Sequence, residues 1–139
     1  MRQAVVDTSV LISAFLFRHS LPGQLLKLAG QGGFGLHFSS IILAEFREAL
    51  SRERLRRAHG YSDDDIAAWC TELHEIGTML TEPLPQIAPV CRDPDDDHVI
   101  AAAVTASAGW IVTGDKDLLD LGRHGEIRIV TTRAFISES

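Results

Sequence analysis

The chain has 139 residues, of which 45% are hydrophobic and 23% charged, with a formal net charge of −6. This length is enough to bury a core, so we expect residues 1–139 to form a single domain. The apolar runs are too short to cross a membrane, so we expect no membrane partner. Asp7 interrupts the first of these runs, so we expect no signal peptide. Cys70 and Cys91 lack metal-type spacing, which favours a reducing, cytoplasmic location.

The chain opens with an apolar run that ends at an acid. Gln3–Val6 contains two β-branched valines and predicts a buried strand, and Asp7 follows it directly. Thr8 and Ser9 then offer hydroxyls to cap a helix that begins near Val10. A carboxylate at the C-terminal end of a buried parallel strand lies where open α/β sheets bind ligands.

The next third of the chain predicts further alternation of helices and strands. Pro22 fits the first turn of a second helix, and a short strand is expected over Gly35–Ser39. A helix follows from Ser40, with Glu45 in its second turn beside an apolar stripe. The arginine-rich stretch Arg52–Arg57 suits the C-terminal end of that helix, and a phosphate-binding role is an equal alternative.

A second acidic helix start lies at Ser62, which with Asp65 forms a capping-box pattern. The aspartates at 63–65 are therefore explained by capping rather than by metal binding. The helix that follows carries a regular apolar stripe, in which Trp69 is interpreted as a core residue. A short strand is predicted at Met79–Thr81.

The third acidic helix start contains more acids than capping requires. Asp93 is a natural N-cap and Pro94 a natural first helical residue, and helix-start electrostatics also explain Asp95 and Asp96. Asp97 lies a turn into the helix, before a small apolar run that must be buried. His98 is interpreted as a helix-surface residue.

The last third of the chain repeats the opening pattern. Trp110–Thr113 predicts a buried strand that is followed by Gly114 and Asp115, and Gly125–Thr131 predicts a final strand. Strands thus alternate with helices along the chain, which predicts an α/β fold with a parallel sheet and helices on both faces.

Four acids from distant segments are placed to meet at one edge of this sheet. Asp7 and Asp115 follow strands, while Glu45 and Asp97 lie near helix starts, and these ends share one edge in α/β folds. Clustered carboxylates repel one another unless cations are bound between them. Hard oxygen ligands suit Mg²⁺ or Mn²⁺ rather than zinc.

Four blocks of the sequence resemble the signature blocks of PIN-domain ribonucleases. They occur in the expected order across nearly the whole chain: Val6–Leu11, Leu43–Phe46, Arg92–Asp97 with the alanine-rich helix after it, and Val112–Leu119. The set is most similar to the small single-domain VapC-like toxins of toxin–antitoxin pairs.

The resemblance implies a three-layer α/β/α sandwich around a parallel sheet, and an endoribonuclease that depends on Mg²⁺ or Mn²⁺. It implies that the metal-binding and catalytic acids are Asp7, Glu45, Asp97 and Asp115. Ser9 and Thr113 match hydroxyl positions that orient those carboxylates, and Asp117 matches an acid often kept near the site. The implied partners are an RNA substrate, a cognate antitoxin protein and a second copy of the chain in a homodimer.

Three other classes of function compete with this one. An aspartyl phosphatase needs an acid two residues after its nucleophile, where this chain has Ser9. A receiver-like domain needs a differently spaced acidic cluster and lysine. The alternative that stays open is a non-catalytic PIN-like module that binds RNA or protein.

Overall fold

The computed structural model of the chain describes residues 1–81, 83–85 and 94–138. Within these ranges the helices are α1 Thr8–Leu16, α2 Leu21–Gly30, α3 Ser40–Ser51, α4 Glu53–His59, α5 Asp63–Ile76, α6 Asp97–Thr105, α7 Lys116–Leu121 and α8 Thr132–Ser137. The strands are β1 Gln3–Val6, β2 Gly35–Phe38, β3 Gly77–Met79, β4 Trp110–Val112, β5 Arg123–His124 and β6 Ile127–Val130. A 3₁₀ turn at Pro94–Asp96 leads into α6.

The strands form one sheet in the order β3-β2-β1-β4-β6-β5. All neighbours are parallel except β5, which pairs antiparallel with β6. The predicted α/β fold is therefore confirmed, but the prediction of a purely parallel sheet missed β5. This strand is added by a tight hairpin in which Gly125 has φ +58°, a conformation that favours glycine.

The order of the strands places helices on both faces of the sheet. From β1 the chain moves outward through β2 to β3, then returns to β4 on the other side of β1 and continues to β6. Right-handed crossovers place α1–α5 on one face and α6 and α7 on the other. Accordingly α1 packs on α2 and α3, whereas α6 packs on β1 and β4. The direction of winding changes between β1 and β4, and their C-terminal ends border the resulting crevice.

The core lies on both sides of the central strands. Val5 and Val6 are fully buried, and Phe46 of α3 and Ile100 of α6 pack against the sheet from opposite faces. Trp69 is half-buried against this core, as predicted, with its ring 5.9 Å from that of Phe15. The small alanines of α6 are buried as well, so this helix approaches the sheet closely.

Several predicted element bounds are corrected by the structure. The stretch Arg52–Arg57 is not the end of α3, because Arg52 adopts an extended conformation and α4 begins after it. The strand predicted at Met79–Thr81 is β3 and ends at Met79, where it pairs with Phe38. The capping box of Ser62 and Asp65 is confirmed.

The N-cap role predicted for Asp93 concerns a residue outside the part of the chain that the structure describes. Within the described ranges, every helix is either too short or too polar to cross a lipid bilayer.

Two glycines of α2 give a matched test of packing. A Cβ at Gly23 would overlap the backbone carbonyl of Arg18, whereas one at Gly30 would meet only the Ile76 Cγ2 atom at 3.5 Å. We expect Gly23→Ala to lower the free energy of unfolding by about 1–3 kcal/mol through overpacking. Gly30→Ala should leave it unchanged or raise it by up to about 1 kcal/mol through helix propensity. Urea denaturation measures both, and equal effects would contradict this packing.

Candidate acidic site

A cavity of about 520 Å³ opens at the C-terminal ends of β1 and β4. Acids from four separated segments line it: Asp7, Glu45, Glu48, Asp96 and Asp115. Its other lining residues include Thr8, Ser9, Arg52, His98 and Gly114. The acids therefore meet at the sheet edge that the order of the strands predicts, within the crevice between β1 and β4.

Asp7 is the most buried acid of the cavity, with 8% of its surface exposed. Its Oδ1 atom accepts a hydrogen bond from the Thr8 backbone N–H at 2.7 Å, and its Oδ2 atom accepts one from the Thr113 hydroxyl at 2.7 Å. Asp7 is itself the N-cap of α1, so the prediction that Thr8 or Ser9 caps this helix is wrong. Both carboxylate oxygens are thus held in fixed directions.

Burial raises the pKa of Asp7 above its ordinary value of 3.8. Hydrogen bonds from Thr113 and Thr8 oppose this shift, and the nearby charges of Asp115 and Glu45 add to it. The carboxylates of Asp115 and Glu45 are therefore close enough to Asp7 to repel its negative charge. A cation bound among them would remove that repulsion and favour the ionised form of Asp7.

Thr113 joins the ends of the two central strands. Its hydroxyl donates to Asp7 and accepts a hydrogen bond from the Asp115 backbone N–H at 3.0 Å. Asp115 is the N-cap of α7, and its Oδ1 atom accepts from the Asp117 backbone N–H at 2.8 Å. Thr113 and Asp117 therefore lie beside the acids.

Asp96, Asp115 and Asp117 form a cluster whose carboxylate oxygens lie within 4.8 Å of one another. The interpretation of Asp96 as a helix-start acid alone is incomplete, because it occupies the N-cap of α6 without a side-chain capping hydrogen bond and lines the cavity. Asp97 is the first residue of α6 and is half-buried. In this stretch the cavity wall is formed by Asp96 and His98.

Glu45 extends the acidic group from α3. Its Oε1 atom accepts a hydrogen bond from the Thr8 hydroxyl at 2.9 Å and lies 3.3 Å from His98 Nε2. The interpretation of His98 as a helix-surface residue is wrong, since its side chain is only 16% exposed and lines the cavity. Sequence reasoning also missed the contact of Thr8, although a hydroxyl directly after a strand-ending acid was a usable signal.

The donor set determines which cations suit this site. The clustered ligand atoms are carboxylate oxygens, and the nearby threonine hydroxyls keep two of the acids oriented. Hard divalent cations such as Mg²⁺ and Mn²⁺ prefer oxygen ligands of this kind, whereas zinc favours sites with histidine and cysteine. The residues present therefore fit a hard divalent cation.

Fold and site together define an α/β protein with an acidic, cation-compatible centre at the C-terminal edge of its sheet. A family model described as PIN domain matches residues 3–117. The chain is also 29% identical over 144 residues to the uncharacterized protein MJ1680 of Methanocaldococcus jannaschii, an alignment that covers 98% of this chain and 90% of that protein. The chain belongs to the PIN-domain family, whose members are generally metal-dependent nucleases.

The raised pKa of Asp7 predicts how stability depends on pH. The folded chain binds the carboxyl proton of Asp7 more tightly than the unfolded chain does. The contribution of this proton to the free energy of unfolding is therefore lost as the pH rises from 3.8 through the raised pKa. Asp7→Asn removes the ionisation, so the metal-free variant should be more stable than the parent at neutral pH. The difference should vanish at acidic pH, where both side chains are neutral. Thermal unfolding in EDTA across the pH range measures it.

The matched control is Asp64→Asn, because Asp64 is an exposed acid in the first turn of α5. Millimolar Mn²⁺ should raise the Tm of the parent and of this control, and should raise that of Asp7→Asn much less. An Asp7→Asn variant that is less stable than the parent at neutral pH would contradict the proposed repulsion.

Proposed function

We propose that this chain is an endoribonuclease that hydrolyses RNA phosphodiester bonds with the help of Mg²⁺ or Mn²⁺. The observation that carries the proposal is the meeting of carboxylates from distant segments in one cavity, despite their mutual repulsion. A fold without a use for this arrangement would be more stable with neutral side chains there. Membership of the PIN-domain family supports the same chemistry.

We propose that residues 1–139 form one nuclease domain and that Asp7, Glu45, Asp97 and Asp115 are its metal ligands and catalytic acids. The geometry adds Asp96 as a further candidate ligand, close to Asp115 and Asp117. A bound Mg²⁺ or Mn²⁺ would supply positive charge to the attacked phosphate and would make deprotonation of water easier. A hard divalent cation of this kind is compatible with every acid that lines the cavity.

The residues around the acids keep the site arranged before substrate binds. Thr113 fixes Asp7 relative to Asp115, and Thr8 fixes Glu45 relative to the start of α1. Because these hydrogen bonds already hold the carboxylates in place, the side chains need to move less when charge develops on the phosphate. The proposed nucleophile is water, whose oxygen bonds to phosphorus while the bond to the 3′-oxygen breaks. The products then carry a 5′-phosphate and a 3′-hydroxyl.

A cleavage assay with single-stranded RNA and Mn²⁺ tests the chemistry directly. We expect the parent to cut RNA internally and Asp115→Asn to cut it about 100-fold more slowly or not at all, because a ligand charge is lost. Asp96→Asn should also slow cleavage since its carboxylate lies in the cluster, and Asp97→Asn should do so through its place in the signature block. End-labelled RNA on denaturing gels measures the rates.

Asp64→Asn again serves as the control and should cut at the parent rate. Full activity of Asp96→Asn or Asp97→Asn would remove that residue from the proposed site. A parent that neither cuts RNA nor gains stability from Mn²⁺ would overturn the nuclease proposal in favour of a non-catalytic binding module.

We further propose that the protein is the cytoplasmic toxin of a type II toxin–antitoxin pair and acts as a homodimer. The support is the resemblance of the four sequence blocks to small VapC-like proteins. Induced expression in a bacterial host should arrest growth, and Asp115→Asn at the same protein level should not. Co-expression of a small neighbouring reading frame should restore growth. Unimpaired growth with active, soluble parent protein would contradict the toxin role.

A further inference from the structure

A second groove, of about 420 Å³, adjoins the acidic cavity at the same edge of the sheet. The two depressions share Ser9 and Gly114, so they adjoin each other at the ends of β1 and β4. The second groove is lined by hydroxyls, by apolar side chains and by Arg133. We call it the hydroxyl groove. Both volumes lie in the range of about 300–1,000 Å³ that is typical of ligand sites.

We propose that the hydroxyl groove binds the nucleotide adjacent to the cleaved bond of a single-stranded RNA, with Arg133 contacting its phosphate. The inference rests on the proposed nuclease function and adds to it the path of the substrate. It also assigns roles to Arg133 and to Arg52, which lines the acidic cavity. One phosphate would thus meet the acids and their cations, and its neighbours would meet arginines.

The charge of the chain makes such arginines necessary. The net charge of −6 repels RNA at long range, so binding needs local cations near the site. Much of the basic surface is already engaged, as the ion pairs Arg18–Glu72, Arg56–Asp63, Arg57–Glu53 and Arg128–Glu138 show. Arg133 and Arg52 are exposed and enter no ion pair with the described residues.

The walls of the hydroxyl groove match the remaining parts of a nucleotide. Ser9 and Ser13 lie one turn apart on α1, so their hydroxyls face the groove from the same side of the helix. Both can donate to phosphate or ribose oxygens. Leu21, Pro22 and Leu119 are partly exposed and supply apolar surface on which a ribose or an unstacked base can pack. A base within a duplex is stacked between its neighbours and has no free face to pack on this surface, which favours a single strand.

Gly114 forms the boundary between the two depressions. A Cβ at this position would meet only the Ser9 Oγ atom, at 3.9 Å, and the backbone does not adopt a positive φ here. The fold therefore has no steric need for glycine at 114. The missing side chain leaves the passage between the acidic cavity and the hydroxyl groove open for a strand that crosses it.

RNA binding can be measured apart from cleavage in the Asp7→Asn background, with a fluorescent single-stranded oligonucleotide and Mg²⁺ present. Adding Arg133→Gln should raise the Kd about tenfold at low salt, as expected for loss of a charged hydrogen bond. It should also reduce the slope of log K against log salt by about 0.7, the value for one phosphate contact on a single strand. With Asp7 intact, Arg133→Gln should raise KM for cleavage with little change in kcat.

The control is Arg123→Gln, since Arg123 is an exposed arginine on the edge strand β5 and lies outside the residues that line the two depressions. This variant should keep the parent Kd, salt slope and KM. A parent-like Kd and salt slope in Arg133→Gln would overturn the inference while the nuclease proposal stands if the parent cleaves RNA. An equal effect of Arg133→Gln on duplex RNA would overturn the assignment to single strands.

A steric variant tests the path independently of charge. Gly114→Val should keep the parent Tm and the parent stabilisation by Mn²⁺, because its Cβ would contact the Ser9 Oγ atom at an ordinary 3.9 Å and the substitution removes no acid. It should nevertheless raise KM for RNA about tenfold or more by closing the passage. Unchanged KM in a folded, Mn²⁺-responsive Gly114→Val variant would show that the substrate does not cross between the two depressions.

Discussion

The repulsion among the carboxylates at the C-terminal ends of β1 and β4 is the constraint on which the site depends. Asp7 is buried, and the charges of Asp115 and Glu45 make its ionised form still less favourable. The structure opposes this through the Thr113 hydroxyl, which joins the Asp7 carboxylate to the Asp115 backbone, and through the Thr8 backbone N–H. These neutral hydrogen bonds orient the acids without neutralising them. The site is therefore compatible with a bound cation, whose charge would offset this repulsion.

The fold creates this constraint by bringing distant parts of the chain together. Asp7 and Thr113 are 106 residues apart, and their side chains meet because β1 and β4 are parallel neighbours that end at the same level. The backbone N–H of Asp7 donates to the Val112 carbonyl at 3.0 Å, which continues the pairing up to the site. The helix α6 reaches the same edge from the opposite face through its buried alanines, and it carries Asp96 and His98 to the cavity.

The sequence predicted the α/β fold and the acids that follow strands. Runs of buried apolar residues identify the parallel strands, and the C-terminal ends of these strands lie at one edge of the sheet. It did not predict β5, whose two residues carry almost no pattern. It singled out Asp97 from the run at 95–97, whereas Asp96 lines the cavity, since the 3₁₀ turn at Pro94–Asp96 places that residue directly before α6. Thr8 and His98 were misassigned for a related reason, because each contacts Glu45, a residue far away along the chain.

The measurement that tests the central claim most directly is the location of Mn²⁺ in crystals of the protein, from the anomalous scattering of the metal. The repulsion argument predicts at least one peak at bonding distance, roughly 2.1 Å for the similar ion Mg²⁺, from carboxylate oxygens of Asp7 or Asp115. Crystals of Asp7→Asn grown with the same Mn²⁺ concentration should show this peak weakened or lost. A cavity without a peak at millimolar Mn²⁺, in crystals where the acids are ionised, would contradict the claim that these carboxylates form a cation site.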